Sequence, residues 1–106
     1  MDIIEMAREL GAALQKSDEY TAYNVAKNAA DSDAELQGMI GDFNLKKLSL
    51  NAEVQKEEKD PAKLAALNEE VRSIYARIMA HPTMMAYNTT KEELDRILNF
   101  IQQIIV

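Results

Sequence analysis

Few side chains in this sequence have a type and spacing that could do chemistry. His81 is the single histidine, so a zinc site built on two histidines is excluded, and a catalytic role would need an acid or nucleophile held beside it. Its place directly before Pro82 reads instead as a polar residue closing a helix. Asp and Glu total 18, which makes pairs at helical spacing inevitable. Glu53, Glu57 and Asp60 lie near one face, as do Glu69 and Glu70 with Arg72 and Arg77. A two-metal carboxylate site draws acids from several helices into a core. The acids here are expected outside the apolar stripes, which points away from such a site. The chain has no Gly-rich phosphate cradle and no cysteine, hence no disulfide, thiolate nucleophile or thiolate-held zinc or iron–sulfur centre. Neither a cofactor nor an enzymatic activity is expected.

Charge narrows the partners. The formal net charge is -6, and Lys46-Lys47 is the only adjacent basic pair. DNA binding, which needs clustered Lys and Arg, is not expected, and RNA contact near Lys46, Lys47 and Lys56 stands as a minor alternative. The four tyrosines, Tyr20, Tyr23, Tyr75 and Tyr87, suit half-buried struts whose hydroxyls reach a partner or solvent. Met39, Met79, Met84 and Met85 suit flexible core filling.

The elements that position these residues are helices. In 106 residues there are only three glycines and two prolines, too little punctuation for a sheet. The chain is organised around Asp60-Pro61, a cap followed by a first helical residue. After it Leu64, Leu67, Val71, Ile74 and Ile78 recur at spacings of three and four. Before it Leu36, Ile40, Phe43, Leu50 and Val54 do the same, with Lys47 at the missing position. The two runs predict an antiparallel helical hairpin, over about Asp33–Lys59 and Pro61–Ala80. In the first run Gly38 and Gly41 share a face, where either a close backbone approach or a bend is expected.

An N-terminal helix is predicted from Ile3 to about Lys16, with Ile4, Ala7, Leu10 or Gly11, and Leu14 on its apolar face. Gly11 is read as a small residue at a crossing point. A short second helix starts at Ser17 or Asp18 and docks through Tyr20 and Tyr23. Ser32 and Glu35 match a capping box at the following start. A fifth helix opens at Pro82 with Met85, Leu94, Leu98, Ile101 and Ile105 on one face, Ile97 and Ile104 widening it, and a second start conceivable near Asn88 to Thr90. An echo links Ala22-Tyr23-Asn24 with Lys27 to Ala86-Tyr87-Asn88 with Lys91, read first as chance or similar docking of two aromatic-bearing helices. The expected architecture is all-α: one domain over residues 1–106, about five helices, the hairpin packed with N- and C-terminal helices and assembled as a dimer or higher oligomer. The opening residues lack a basic segment before an apolar run, so no secretory signal is expected, and no stretch approaches the roughly 20 apolar residues of a membrane span.

The order and spacing of several of these features resemble the YlbF/YmcA (Com_YlbF) family of small all-helical bacterial proteins. The features are Ser17-Asp18-Glu19-Tyr20 followed by Tyr23, the acidic Asp31-to-Glu35 junction before Leu36 and Phe43, His81-Pro82 (commonly Asn-Pro in the family) leading into Tyr87, and the closing series Leu94, Ile97-Leu98, Ile101 and Ile104-Ile105. The resemblance covers about Ile3 to Ile105. It implies a cytoplasmic, non-enzymatic regulator of competence, biofilm formation and sporulation. It also implies an adaptor that joins other family members and a further, ribonuclease-associated partner in mRNA decay. Some relatives carry cysteines associated with iron–sulfur clusters; this chain has none, so that property is not carried over. From the residues themselves, Leu94, Ile97, Leu98, Ile101 and Ile105 are the candidates for self-association, and Phe43 and Tyr87 for partner contact. The alternatives are a purely structural helical oligomer and a weak RNA-binding accessory protein.

Overall fold

The computed structural model describes residues 2–106. Among these the chain forms five helices and no strand: α1 (Ile3–Gln15), α2 (Asp18–Ser32), α3 (Ala34–Val54), α4 (Pro61–Ala80) and α5 (Pro82–Ile105). The chain divides into two compact units. One is Ala30–Met85; the other joins the residues up to Ala29 with Ala86–Val106.

The Ala30–Met85 unit is the predicted hairpin. Asp60 caps α4 as expected, its Oδ1 accepting from the amides of Ala62 at 3.0 Å and Lys63 at 3.3 Å, with Pro61 in the first turn. The α4 stripe faces inward: Ile74 and Ile78 are buried, and Leu64, Leu67 and Val71 are half-buried. Leu36 of α3 has no solvent exposure at all. The seam of α3 runs through Leu36, Met39, Phe43, Lys46, Leu50 and Glu53, all buried or half-buried, alternating three and four residues as two helices wound on each other require. Pairs across the hairpin run in opposite chain directions: Asp33 with Thr83, Phe43 with Tyr75, Lys46 with Glu70, and Glu53 with Lys63.

Four expectations are corrected in this unit. Helix α3 stops at Val54 rather than near Lys59, because Glu53 turns back over the loop and binds its far end. Glu53, expected outside the stripe, is buried where Val54 had been placed, and Val54 is exposed. The seam takes the residues three places after Leu36, Phe43 and Leu50, namely Met39, Lys46 and Glu53, rather than those four places after. Lys46 and not Lys47 therefore fills the polar position, and Val54 turns outward. The cap of α3 is Asp33, accepting from the Leu36 amide at 3.1 Å, while Ser32 ends α2. A Cβ built on Gly38 or Gly41 would meet no described atom within 4 Å, so the close approach foreseen there is not made within this chain.

In the other unit α2 packs on α5. Ala26 is buried, and the Tyr23 and Tyr87 rings lie 5.8 Å apart between centroids. The echoed segments thus dock on each other: Tyr23 and Tyr87 each stand five residues after the first residue of their helix. Ser17 joins α1 to α2, its hydroxyl donating to the Leu14 carbonyl at 2.6 Å and accepting from the Tyr20 amide at 3.2 Å. Gly11 of α1, like the α3 glycines, would carry a Cβ into open space, so no crossing point is found there. Helix α5 runs through Asn88 to Thr90 without a second start; the Thr90 hydroxyl donates back to the carbonyls of Ala86 and Tyr87 and competes for no cap. Met85, placed on the Leu94 face by the sequence reading, is exposed, since nine residues of helix carry it half a revolution away.

Leu36→Ala tests the hairpin core. Truncating this fully enclosed side chain should lower unfolding free energy by about 2–5 kcal/mol, read from denaturant titration of the helical signal. A loss well below that range would mean that the seam collapses onto the vacancy or is not packed as described.

Candidate interaction surfaces

The polar clusters of the hairpin are joints between helices. At one end Glu53 is 3% exposed, and its carboxylate gathers the Asp60 amide at 3.2 Å, Lys56 Nζ at 2.8 Å and Lys63 Nζ at 3.4 Å. A buried carboxylate is tolerable only when ionic and hydrogen-bonding partners replace its water. The Lys56 hydrogen bond, followed by the Asp60 amide, holds the Glu53 carboxyl down at about 2, and Glu53 in turn raises the Lys56 ammonium.

At the other end His81 closes α4 and opens α5. Its backbone is extended, as a residue before proline must be, and Nδ1 accepts from the Thr83 amide at 3.2 Å. An asparagine side-chain oxygen would cap the helix in the same way. Because Nδ1 accepts, the neutral ring carries its proton on Nε2. That nitrogen lies 3.8 Å from Asp33 and 3.7 Å from Glu35, carboxylates that the linear spacing did not associate with His81. Asp33 also accepts from the Thr83 hydroxyl at 2.9 Å. The Leu36 amide, then Thr83, lowers the Asp33 carboxyl below its ordinary value. Among the described residues no group of three or more His, Asp or Glu is placed to hold a metal ion.

The three lysines weighed for RNA contact each have a partner in the hairpin. Lys46 pairs with Glu70 at 3.0 Å, and that bond raises its ammonium. Lys56 belongs to the Glu53 cluster, and Lys47 lies 5.8 Å above the Phe43 ring. A surface recess of about 500 Å³ is lined by Asp42, Lys46, Ala66, Glu69, Glu70, Ser73 and Ile74.

The candidate contact residues fall into distinct settings. Phe43 is half-buried against Tyr75, centroids 6.0 Å apart, with Tyr75 the more exposed of the two. Tyr87 is half-buried against Tyr23, and its hydrogen bond, then partial burial, raises the Tyr23 hydroxyl above the usual phenol range. Leu94 is buried and Ile97 and Ile101 are half-buried, whereas Leu98 and Ile105 are exposed. The large bare apolar side chains include members of faces already read from the sequence, Ile4 and Leu10 in α1 and Ile104 and Ile105 in α5. In α1, Ile3 is 81% exposed, with Ile4, Met6 and Leu10 also exposed; in α5, Ile104 is 72% exposed, with Phe100 beside it. The regular apolar spacing of α1 is the sequence signal for this surface, and it marks the face without naming the molecule that covers it.

Residues 3–106 match the family described as control of competence regulator ComK, YlbF/YmcA. The chain belongs to the YlbF/YmcA family. That description gives the YlbF/YmcA proteins a regulatory role. Relatives include a UPF0342 protein of Desulfitobacterium hafniense, 28% identical over 105 residues, which cover 99% of this chain and 82% of that one. Another, from Caldicellulosiruptor saccharolyticus, is 29% identical over 105 residues, covering 98% and 84%. No solved structure matches the chain. Among the described residues no helix is long and apolar enough to cross a membrane.

The Glu53 cluster gives a pH dependence. A carboxyl held at about 2 against an ordinary 4.5 contributes stability that is complete above about 4.5 and is lost as pH falls toward 2. Thermal unfolding followed across that window should show a falling midpoint in the wild type and a flatter profile in Glu53→Gln, which should also be less stable at neutral pH. Identical slopes in the two proteins would remove Glu53 as the source.

Proposed function

We propose that this chain is a non-enzymatic adaptor in the regulatory control that its family description names, working by helix-to-helix contact with other proteins. The observation that carries this reading is the bare apolar surface of α1 and of the second half of α5. Isolated exposed apolar residues are ordinary, but repeated ones along one helix face are characteristic of contact surfaces. The self-association set is Leu94, Ile97, Leu98, Ile101 and Ile105. Leu94 is buried, so the contact falls on the residues after it, with Phe100 and Ile104 extending it. Phe43 and Tyr87 are partner contacts only through the edges that their ring partners leave exposed.

The partners on this reading are a second copy of the chain and, as the resemblance implies, another family member or a ribonuclease-associated protein. The site of action is the cytoplasm, and no cofactor takes part. The pairing of Lys46 and Lys56 with glutamates supports protein over RNA as the ligand. The ComK role in the family description supports regulation as the purpose.

Light scattering over a wide concentration range tests the reading. The wild type should be a dimer or larger, and the double variant Ile101→Glu, Ile105→Glu should shift toward lower mass while keeping its helical content. A wild type that stays monomeric throughout would overturn self-association through α5.

A further inference from the structure

Helix α3 carries two apolar stripes on opposite sides. One is the hairpin seam. The other is Ala34, Gly38, Gly41, Leu45, Leu48 and Ala52, every one of them exposed, with Leu45 and Leu48 each 65% exposed. Its spacing alternates four and three over the length of the helix, the repeat by which one helix tracks another. The charged residues of α3 (Glu35, Asp42, Lys46, Lys47 and Glu53) all lie off this stripe. Two glycines in mid-helix weaken it, and a Cβ at either would meet no described atom within 4 Å, so nothing in the chain itself requires them.

The order of sizes along the stripe identifies the occupant. Laid antiparallel on a copy of itself about a two-fold centred near Phe43, the stripe sets Gly41 opposite Leu45, Gly38 opposite Leu48, and Ala34 opposite Ala52. Each leucine then meets a position without a side chain. A surface of this kind fits its own copy, the defining property of a two-fold interface. A parallel pair would put glycine on glycine and leucine on leucine, and would stack the acidic first turns, with Asp33 and Glu35, on their own copies. Antiparallel packing separates those first-turn acids and opposes the helix dipoles favourably, leaving Asp42 on the second flank as the one acid set beside its own copy. One flank of the stripe, Gln37, Asn44 and Asn51, is uncharged and would run beside its symmetry mate.

We propose that the outer face of α3 is a two-fold homodimer contact in which Gly38 and Gly41 of each protomer receive Leu48 and Leu45 of the other. This face is separate from the α5 surface proposed above.

The chain has no native cysteine, so disulfide trapping in the full-length protein reads the geometry directly. Asn44→Cys lies beside the two-fold and should cross-link to its own copy on mild oxidation. Ala34→Cys alone should not, whereas a mixture of Ala34→Cys and Ala52→Cys should give the mixed dimer. Glu58→Cys, in the α3–α4 turn, sets the level of random collision. The companion variant Gly41→Glu should hold or raise the thermal midpoint, because glutamate favours helix over glycine. It should nevertheless cut Asn44→Cys cross-linking by about tenfold or more, because each glutamate would bury a charge against Leu45 of the other protomer. Cross-linking of Asn44→Cys no greater than Glu58→Cys, self-linking of Ala34→Cys, or indifference to Gly41→Glu would each overturn the proposal. Loss of higher mass in the α5 double variant with α3 trapping intact would leave it standing.

Discussion

The Glu53 carboxylate sits inside the α3–α4 hairpin, and the geometry of the hairpin follows from how that charge is satisfied. A carboxylate 3% exposed needs several donors, and here they come from the turn and the first turn of α4. Only one register of the two helices brings the Asp60 amide and Lys63 to it together. That register also sets Lys46 against Glu70 and Phe43 against Tyr75, and lets Asp33 meet Thr83 at the far end. Sliding α4 by one turn would leave the buried charge short of partners. Polar positions within an otherwise apolar seam are the best-attested means of fixing register.

Much of this was legible in the residues. Asp60-Pro61 and His81-Pro82 mark helix starts because proline fixes one backbone angle and lacks the amide that a first turn cannot use. The α4 stripe was legible because each member is aliphatic and nothing interrupts the repeat. Other features were hidden for physical reasons. Glu53 one turn before a loop has the composition of a solvated helix end, and only the fold returns the Asp60 amide and Lys63 to it. Ser32 and Asp33 are both good caps, and the choice between them rests on Thr83, fifty residues away, reaching Asp33. His81 gave no sign of Asp33 and Glu35, since they approach it from another helix. In α5 the covered face runs through Leu94, Ile97 and Ile101, whereas Leu98 and Ile105, read onto the same face, are exposed, and Met85 was assigned by type rather than by angle. As for the candidate contact residues, their exposure is now described, and their roles rest on experiment.

The same arithmetic separates what the fold uses from what it leaves over. In α4 nearly every aliphatic residue faces the hairpin seam. In α1 the pattern is equally regular, yet Ile3, Ile4, Met6 and Leu10 stay in solvent. Periodicity reports that a face is apolar and is silent on which molecule covers it. A helix of α1's length also gains little from propensity alone, so its regular face implies a packing partner.

Helix α3 carries this argument furthest. Its inner stripe accounts for the hairpin, and an outer face meant only for water would have no use for Leu45 and Leu48 or for two glycines. Each glycine costs helix stability relative to alanine, about 1 kcal/mol, and no described residue comes within 4 Å of where its Cβ would stand. Solvent-facing helix positions ordinarily carry residues such as Lys, Glu and Gln, which favour both helix and solubility. The outer face of α3 departs from that pattern at six successive heptad positions, and the leucines and glycines that break it have matching shapes. An element built with two apolar sides is built to be an inner layer, and a single copy of this chain supplies only one of the two neighbours such a layer needs.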